Sequence, residues 1–235
     1  MKNMTALSDD TDSSTLLATY QGTINDVTLT GRTIYRNGEW NTLCLPFNIV
    51  SLTGTPLEGA IIRPLTDATL TNTTLTLTFG TAVNAIIAGM PYILKWESTA
   101  DDLTNPIFEN VTINSAAPLT ASFETGDSQA QFIGTYAPMT LAKDDQSNRY
   151  LGSGNKLYYP TTDDFKVNAF RAYFRLGASA ASAPMLVINT DDPTDVDGIF
   201  RNVTENNAYY TLDGRRMTAK PTSKGVYIYI RCNSL

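Results

Sequence analysis

Residues able to do chemistry are few in this chain, and their spacing does not suit it. Adjacent acidic pairs occur at Asp101-Asp102, Asp144-Asp145 and Asp163-Asp164. Two carboxyls facing each other across roughly 5–9 Å could hydrolyse a glycosidic bond. Neighbours on a strand point to opposite faces, so these pairs do not aim at one sugar, and Glu39, Glu58, Glu97 and Glu109 stand alone. Histidine is absent from all 235 residues. That removes Ser-His-Asp triads, Cys-His dyads, histidine zinc sites and imidazole acid–base catalysis. A carboxylate glycosidase is therefore the lowest-ranked function; the chain reads as a non-enzyme, with no catalytic residue and no cofactor assigned.

Two other motifs invite a chemical reading. "LGSGNKLYY" (Leu151–Tyr159) contains Gly-x-Gly but lacks the third glycine of a dinucleotide loop and the Gly-Lys-Ser/Thr of a P-loop,. A hairpin turn is the better reading, because Gly and Asn tolerate positive φ. "DDPTDVDG" looks like a calcium loop, yet Pro193 falls where the first EF-hand carboxylate must sit and Thr204 where its glutamate would be,. Asp195 and Asp197 are the candidates for a weak, non-EF calcium site; a solvated acidic linker is the simpler account. Cys44, at an apolar strand position in "TLCLPF", reads as a buried thiol, and its pairing with Cys232 is left open,.

Aromatic rings offer a different chemistry, since the C–H faces of sugars pack on them. Tyr35, Trp40, Tyr92, Trp96, Tyr136, Tyr158, Tyr159 and Tyr173 could supply such a platform, although rings in a sandwich normally fill the core or pair across strands,. Trp40, Trp96, Tyr158 and Tyr159 are the ligand-binding candidates. Trp40 is expected to be the most exposed, because it follows Asn37-Gly38-Glu39 at the mouth of a predicted hairpin,.

The elements that must hold these residues are strands. "TNTTLTLTFG" alternates Thr with Leu and Phe, so one face is buried and the other wet,. Short apolar runs bounded by Gly, Pro, Asn or Asp continue through "PYILKW", "QFIGTYAP", "FRAYFRL" and "PMLVIN". In "FRAYFRL", Arg171 and Arg175 mark a polar face of a central strand, or an inward arginine paired with a buried carboxylate. The pattern predicts an all-β fold: an antiparallel β-sandwich followed by a small C-terminal β-hairpin module. The predicted divisions are a flexible N-terminus at 1–20, a β-sandwich at 21–190, an acidic linker at 191–198 and a β module at 199–235. In that module a tight turn at Asp213-Gly214 joins two strands, and Val226, Ile228 and Ile230 are expected to pack on another surface,.

Together, "RNGEWNTLCLPFNI", "AGMPYILKW", "RYLGSGNKLYYP" and "FRAYFRL" resemble segments of exported, surface-associated proteins of Bacteroidetes bacteria. The closing "AYYTLDGRRMTAKPTSKGVYI" is similar to the C-terminal segment of that group, which in some members is a type IX secretion signal. This chain ends in "RCNSL" instead of the basic strand usual there. The resemblance implies an extracellular or outer-surface location and a sorting or docking role for the last segment.

Composition narrows the partners. A net charge of −6 without a basic cluster argues against nucleic acid and anionic membranes,. No apolar run reaches the ~20 residues of a transmembrane helix. The start lacks a signal-peptide core, so an exported protein would have lost its signal. The expected function is a non-catalytic, adhesion-like interaction protein whose partner is an extracellular protein or glycan; the alternative is a carbohydrate-binding module.

Overall fold

The computed structural model describes residues 3–126 and 128–190, with three short strands at 208–210, 216–217 and 228–230. The chain divides into two units, Met1–Asp195 and Val196–Leu235.

The first unit is an all-β sandwich built on two five-stranded sheets. One runs in the order β17 (Met185–Asn189), β6 (Thr74–Phe79), β5 (Ile61–Thr71), β7 (Pro91–Lys95), β4 (Asn41–Cys44). The other runs β10 (Thr120–Glu124), β11 (Gln129–Thr135), β16 (Arg171–Leu176), β13 (Asn148–Gly152), β14 (Lys156–Tyr158). Alternation decides what lies between them. Along β6, Leu75, Leu77 and Phe79 are all fully buried, while the intervening threonines are not, as the period-two pattern requires. Phe79 meets Phe132 edge-on at 5.7 Å, and Phe132 stacks on Phe174 at 4.5 Å. These rings fasten the two sheets together.

At β4 and β7 this sheet is buried on both faces. Ile93 enters the core between the sheets, whereas Tyr92 and Leu94 enter a second core on the opposite side. This explains the apolar run "PYIL", which alternation alone would not produce,. The second core is closed by a three-stranded sheet of β1 (Asn3–Ser8), β2 (Ile24–Thr30) and β9 (Ile107–Thr112). Val27, Leu29 and Phe108 from that sheet are buried there, with Leu17 of the short helix α1 (Ser14–Thr19). Two small pairs complete the strands of the unit: β3 (Thr33–Ile34) with β8 (Leu103–Thr104), and β12 (Met139–Leu141) with β15 (Phe165–Val167).

The structure corrects two expectations. Of the N-terminus predicted to be flexible at 1–20, the residues from Asn3 onward are not a loose arm, because β1 pairs in parallel with β2 from Asn3↔Asn25 to Ser8↔Thr30. Thr5, Leu7 and Asp9 are buried at period two, and Leu7 is fully enclosed. The acidic character of the segment concealed a strand whose inward residues are only partly apolar. Asn37-Gly38 also does not close a hairpin. β3 pairs with β8 and β4 with β7, so the turn links strands that belong to different sheets. A further departure from a purely antiparallel scheme is β17, which runs parallel to β6.

Close packing of backbone appears at Gly134 in β11. A methyl group there would run into the sulfur of Cys44 and lie 3.3 Å from the Gly89 carbonyl. Gly134→Ala is expected to destabilise the protein by about 1–3 kcal/mol, the usual effect of overpacking. Urea unfolding measures it, and a neutral result would mean that β4 and β11 do not approach this closely.

In the second unit, β18 (Ala208–Tyr210) is central, between β19 (Arg216–Met217) and β20 (Ile228–Ile230), both antiparallel to it. Tyr209 stands opposite Met217 on one side and Tyr229 on the other. The turn at Asp213-Gly214, the packing of Val226, Ile228 and Ile230, the linker 191–198 with Asp195 and Asp197, and Cys232 lie outside the described residues.

Candidate functional site

The first unit carries a cleft of about 320 Å³ whose lining includes Arg32, Tyr35, Glu39, Trp40, Ser153 and Arg171. One wall is the segment from Tyr35 to Trp40. Asn41 clamps it: Asn41 Oδ1 accepts from the Tyr35 amide at 2.9 Å, and Asn41 Nδ2 donates to the Tyr35 carbonyl at 2.8 Å. Inside the loop, Asn37 Oδ1 accepts from the Glu39 amide at 3.0 Å, and Gly38 takes a φ of 86° that suits glycine,.

The second wall is the turn between β13 and β14. Ser153–Asn155 form one turn of 3₁₀ helix, with Gly154 and Asn155 at positive φ. The sequence reading of "LGSGNKLYY" as a hairpin turn holds. Two hydrogen bonds tie the walls together. The Trp40 amide donates to Asn155 Oδ1 at 2.7 Å, and the Gly154 amide donates to Glu39 Oε1 at 2.8 Å. Both span 115 residues of sequence, so the cleft is a product of the tertiary fold and is braced before any ligand arrives.

Arg32 and Arg171 supply its charge. Arg171, at the start of β16, donates from Nη1 to Asp9 Oδ2 at 2.8 Å, and the Asp9 side chain is 4% exposed. Of the two roles open to the arginines of "FRAYFRL", Arg171 takes the inward one with a buried carboxylate partner. Arg32 is enclosed, its Nη1 and Nη2 donating to the carbonyls of Thr33 at 3.0 Å and Thr42 at 2.6 Å. Burial pulls its guanidinium down to about 9, aided by Arg171 and opposed by Asp9. It is still charged at neutral pH.

The four predicted ligand-binding rings are not gathered into one platform. Trp40 lines the cleft but is only 7% exposed; it packs in the inter-sheet core with Lys95 Nζ 4.7 Å above its ring. The expectation of exposure fails because the hairpin mouth it rested on does not exist. Trp96 is 3% exposed, donates from Nε1 to the Glu58 carbonyl at 3.0 Å, and lies under Arg36 at 5.0 Å. It is a core ring. Tyr158 is 37% exposed, but it leans toward Tyr150 at 5.9 Å, and Tyr150 in turn stacks on Phe165 at 3.9 Å. Tyr159 is half-buried beneath Arg149, 4.6 Å from its ring. The ring open to solvent at the cleft is Tyr35, at 55% exposure.

Sequence reasoning missed Arg32 and Asp9. Arg32 follows Gly31 at the end of an apolar strand, an ordinary surface position by pattern, and Asp9 sat in the segment read as loose. Cys44 offers no nucleophile: it is a free buried thiol, donates to the Gly89 carbonyl at 3.2 Å, and burial pushes it up to about 12,. A larger groove of about 600 Å³ lies between the 48–56 segment and β9, but Glu109 is the sole charged residue in its lining. Among the described residues, no group of three or more His, Cys, Asp or Glu could hold a metal ion, and no helix is long and apolar enough to cross a membrane. Compared with family models, curated proteins and solved structures, the chain matches none of them.

Proposed function

We propose that this protein is a non-catalytic, adhesion-like interaction protein of the cell exterior, and that the cleft between the Tyr35–Trp40 loop and the Ser153–Asn155 turn receives its partner. The observation that carries the reading is the bracing of that cleft by two hydrogen bonds across 115 residues, with an exposed ring and two arginines held at its lining. Such a surface is arranged for recognition. The single carboxylate in the lining, Glu39, is engaged by the Gly154 amide, whereas glycoside hydrolysis needs two facing carboxyls. The exterior location rests on the resemblance of "RNGEWNTLCLPFNI" and the C-terminal segment to exported Bacteroidetes surface proteins, with the last unit in a sorting or docking role.

A carbohydrate-binding module is the second reading, and Tyr35 favours it. It is the one strongly exposed ring beside hydrogen-bonding side chains suited to sugar hydroxyls, Asn37 and Ser153. The test is an array of polysaccharides and extracellular matrix proteins, probed with the full chain and with Tyr35→Ala. At least one component is expected to be retained and to bind about tenfold more weakly to the variant, the loss of one aromatic contact. Retention unchanged in Tyr35→Ala would put recognition elsewhere. Release of reducing ends from a bound polysaccharide would overturn the non-catalytic reading.

A further inference from the structure

The cleft brings together two guanidiniums, Arg32 and Arg171, and the two carboxylates near them, Asp9 and Glu39, have different partners. Arg171 acts on Arg32 at the cleft that both line, and Asp9 is the carboxylate that opposes it there. Asp9 Oδ2 accepts its hydrogen bond from Arg171 Nη1. Glu39 Oε1 accepts from the Gly154 amide. Of the two carboxylates, Asp9 is the one hydrogen-bonded to a guanidinium.

The donors of the two guanidiniums are not all used. Arg32 Nε is buried without a hydrogen-bond partner, a costly state for a charged group's donor,. Arg171 spends Nη1 on Asp9 and on the Ala169 carbonyl at 3.2 Å. Its side chain is 23% exposed and lines the cleft. A planar guanidinium with unspent donors beside a second cation is a receptor for an oxyanion. The neighbouring surface is of a different kind: the open ring of Tyr35, with Asn37 and Ser153 beside it. At about 320 Å³ the cleft suits a mono- or disaccharide unit, being at the small end of the roughly 300–1,000 Å³ range of ligand pockets.

The geometry points to an acidic glycan as the ligand of this cleft: a sugar whose carboxylate or sulfate is received by Arg171 above Arg32 while its ring packs on Tyr35. The inference rests on the reading of the cleft as a recognition site and names the ligand class. The bound oxyanion adds negative charge beside Arg171 and so offsets the repulsion between the arginines. An anion there acts on Arg32 in the direction opposite to Arg171.

Isothermal titration of the full chain tests this with four probes: oligogalacturonate, a sulfated galactan oligosaccharide, a neutral cello-oligosaccharide and an oligoglutamate peptide. One of the two acidic sugars is expected to bind at least tenfold more tightly than the neutral one and to weaken as salt is raised. Which of the two binds identifies carboxylate or sulfate as the group recognised. Arg171→Gln is expected to lower that affinity about 10- to 100-fold, the effect of losing a charge-assisted pair. Arg171→Lys keeps the charge beside Asp9 and should fall between. Because either change could loosen the fold, Tyr35→Ala and the salt series give readings that do not depend on Arg171. Equal binding of neutral and acidic sugars, lost in Tyr35→Ala but insensitive to salt, overturns the acidic assignment and leaves the recognition reading standing. Oligoglutamate binding as tightly as the sugars overturns the glycan assignment. Failure of every sugar overturns this inference, while the array decides separately whether the cleft recognises a protein.

Discussion

Asp9→Ala is expected to destabilise the protein by about 3 kcal/mol, the low end of the range for breaking a buried ion pair. The Asp9 side chain is 4% exposed and its partner Arg171 is 23% exposed. Removing the carboxylate leaves Arg171 and the buried Arg32 as neighbouring cations with no counter-charge between them. The backbone contacts of the residue survive the change: the Asp9 amide still donates to the Thr30 carbonyl at 2.9 Å, and the Ala169 amide to the Asp9 carbonyl at 2.7 Å. The loss therefore reports on charge more than on the β1 pairing. Urea unfolding of Asp9→Ala and Asp9→Asn measures it. A change below about 1 kcal/mol, the size of a surface ion pair, would show that Asp9 does not neutralise these arginines.

Phe132→Ala is expected to cost about 3–5 kcal/mol, as for other fully buried phenylalanines cut back to alanine. Phe132 is fully enclosed, stacked on Phe174 at 4.5 Å and 15°, and met edge-on by Phe79 at 5.7 Å and 86°. Phe132 and Phe174 belong to one sheet and Phe79 to the other, so the cavity would open across the sandwich interface. A double-mutant cycle with Phe79→Ala isolates the contact between the sheets. About 1 kcal/mol of interaction is expected, typical of an aromatic pair. Strict additivity would mean that the two rings do not touch and that the sheets are held by other residues.

Local pattern carried much of the fold. The Thr/Leu alternation of Thr74–Phe79 announced a half-buried strand, and "LGSGN" announced the turn that now forms one wall of the cleft. Partner choice was not legible. β1 pairs in parallel with β2, and β17 in parallel with β6. Such pairs need long connections that leave no short-range signature. The Asn37-Gly38 turn illustrates the same limit: its residues have the right chemistry for a hairpin, yet the strands on either side found other partners. Trp40 was misread for that reason, since its exposure depended on the hairpin.

The site was legible only in fragments. Arg171 carried an open alternative, inward or outward, that Asp9 resolves from 162 residues away. Tyr35 was one of eight candidate rings, and nothing in its local sequence separates it from the buried ones. Arg32 had no signal at all, because a charged residue at a strand end is normally solvated. Sites assembled by tertiary contacts between distant segments depend on distances that composition and periodicity do not encode.

The most direct test of recognition at this cleft is an amide ¹⁵N–¹H titration of the full chain with the acidic oligosaccharides. Shifts are expected to be confined to residues 35–41, 152–155 and the start of β16, and to saturate together. Shifts centred on the 48–56 segment and β9, which line the larger groove, with none at Tyr35 or Ser153, would contradict it.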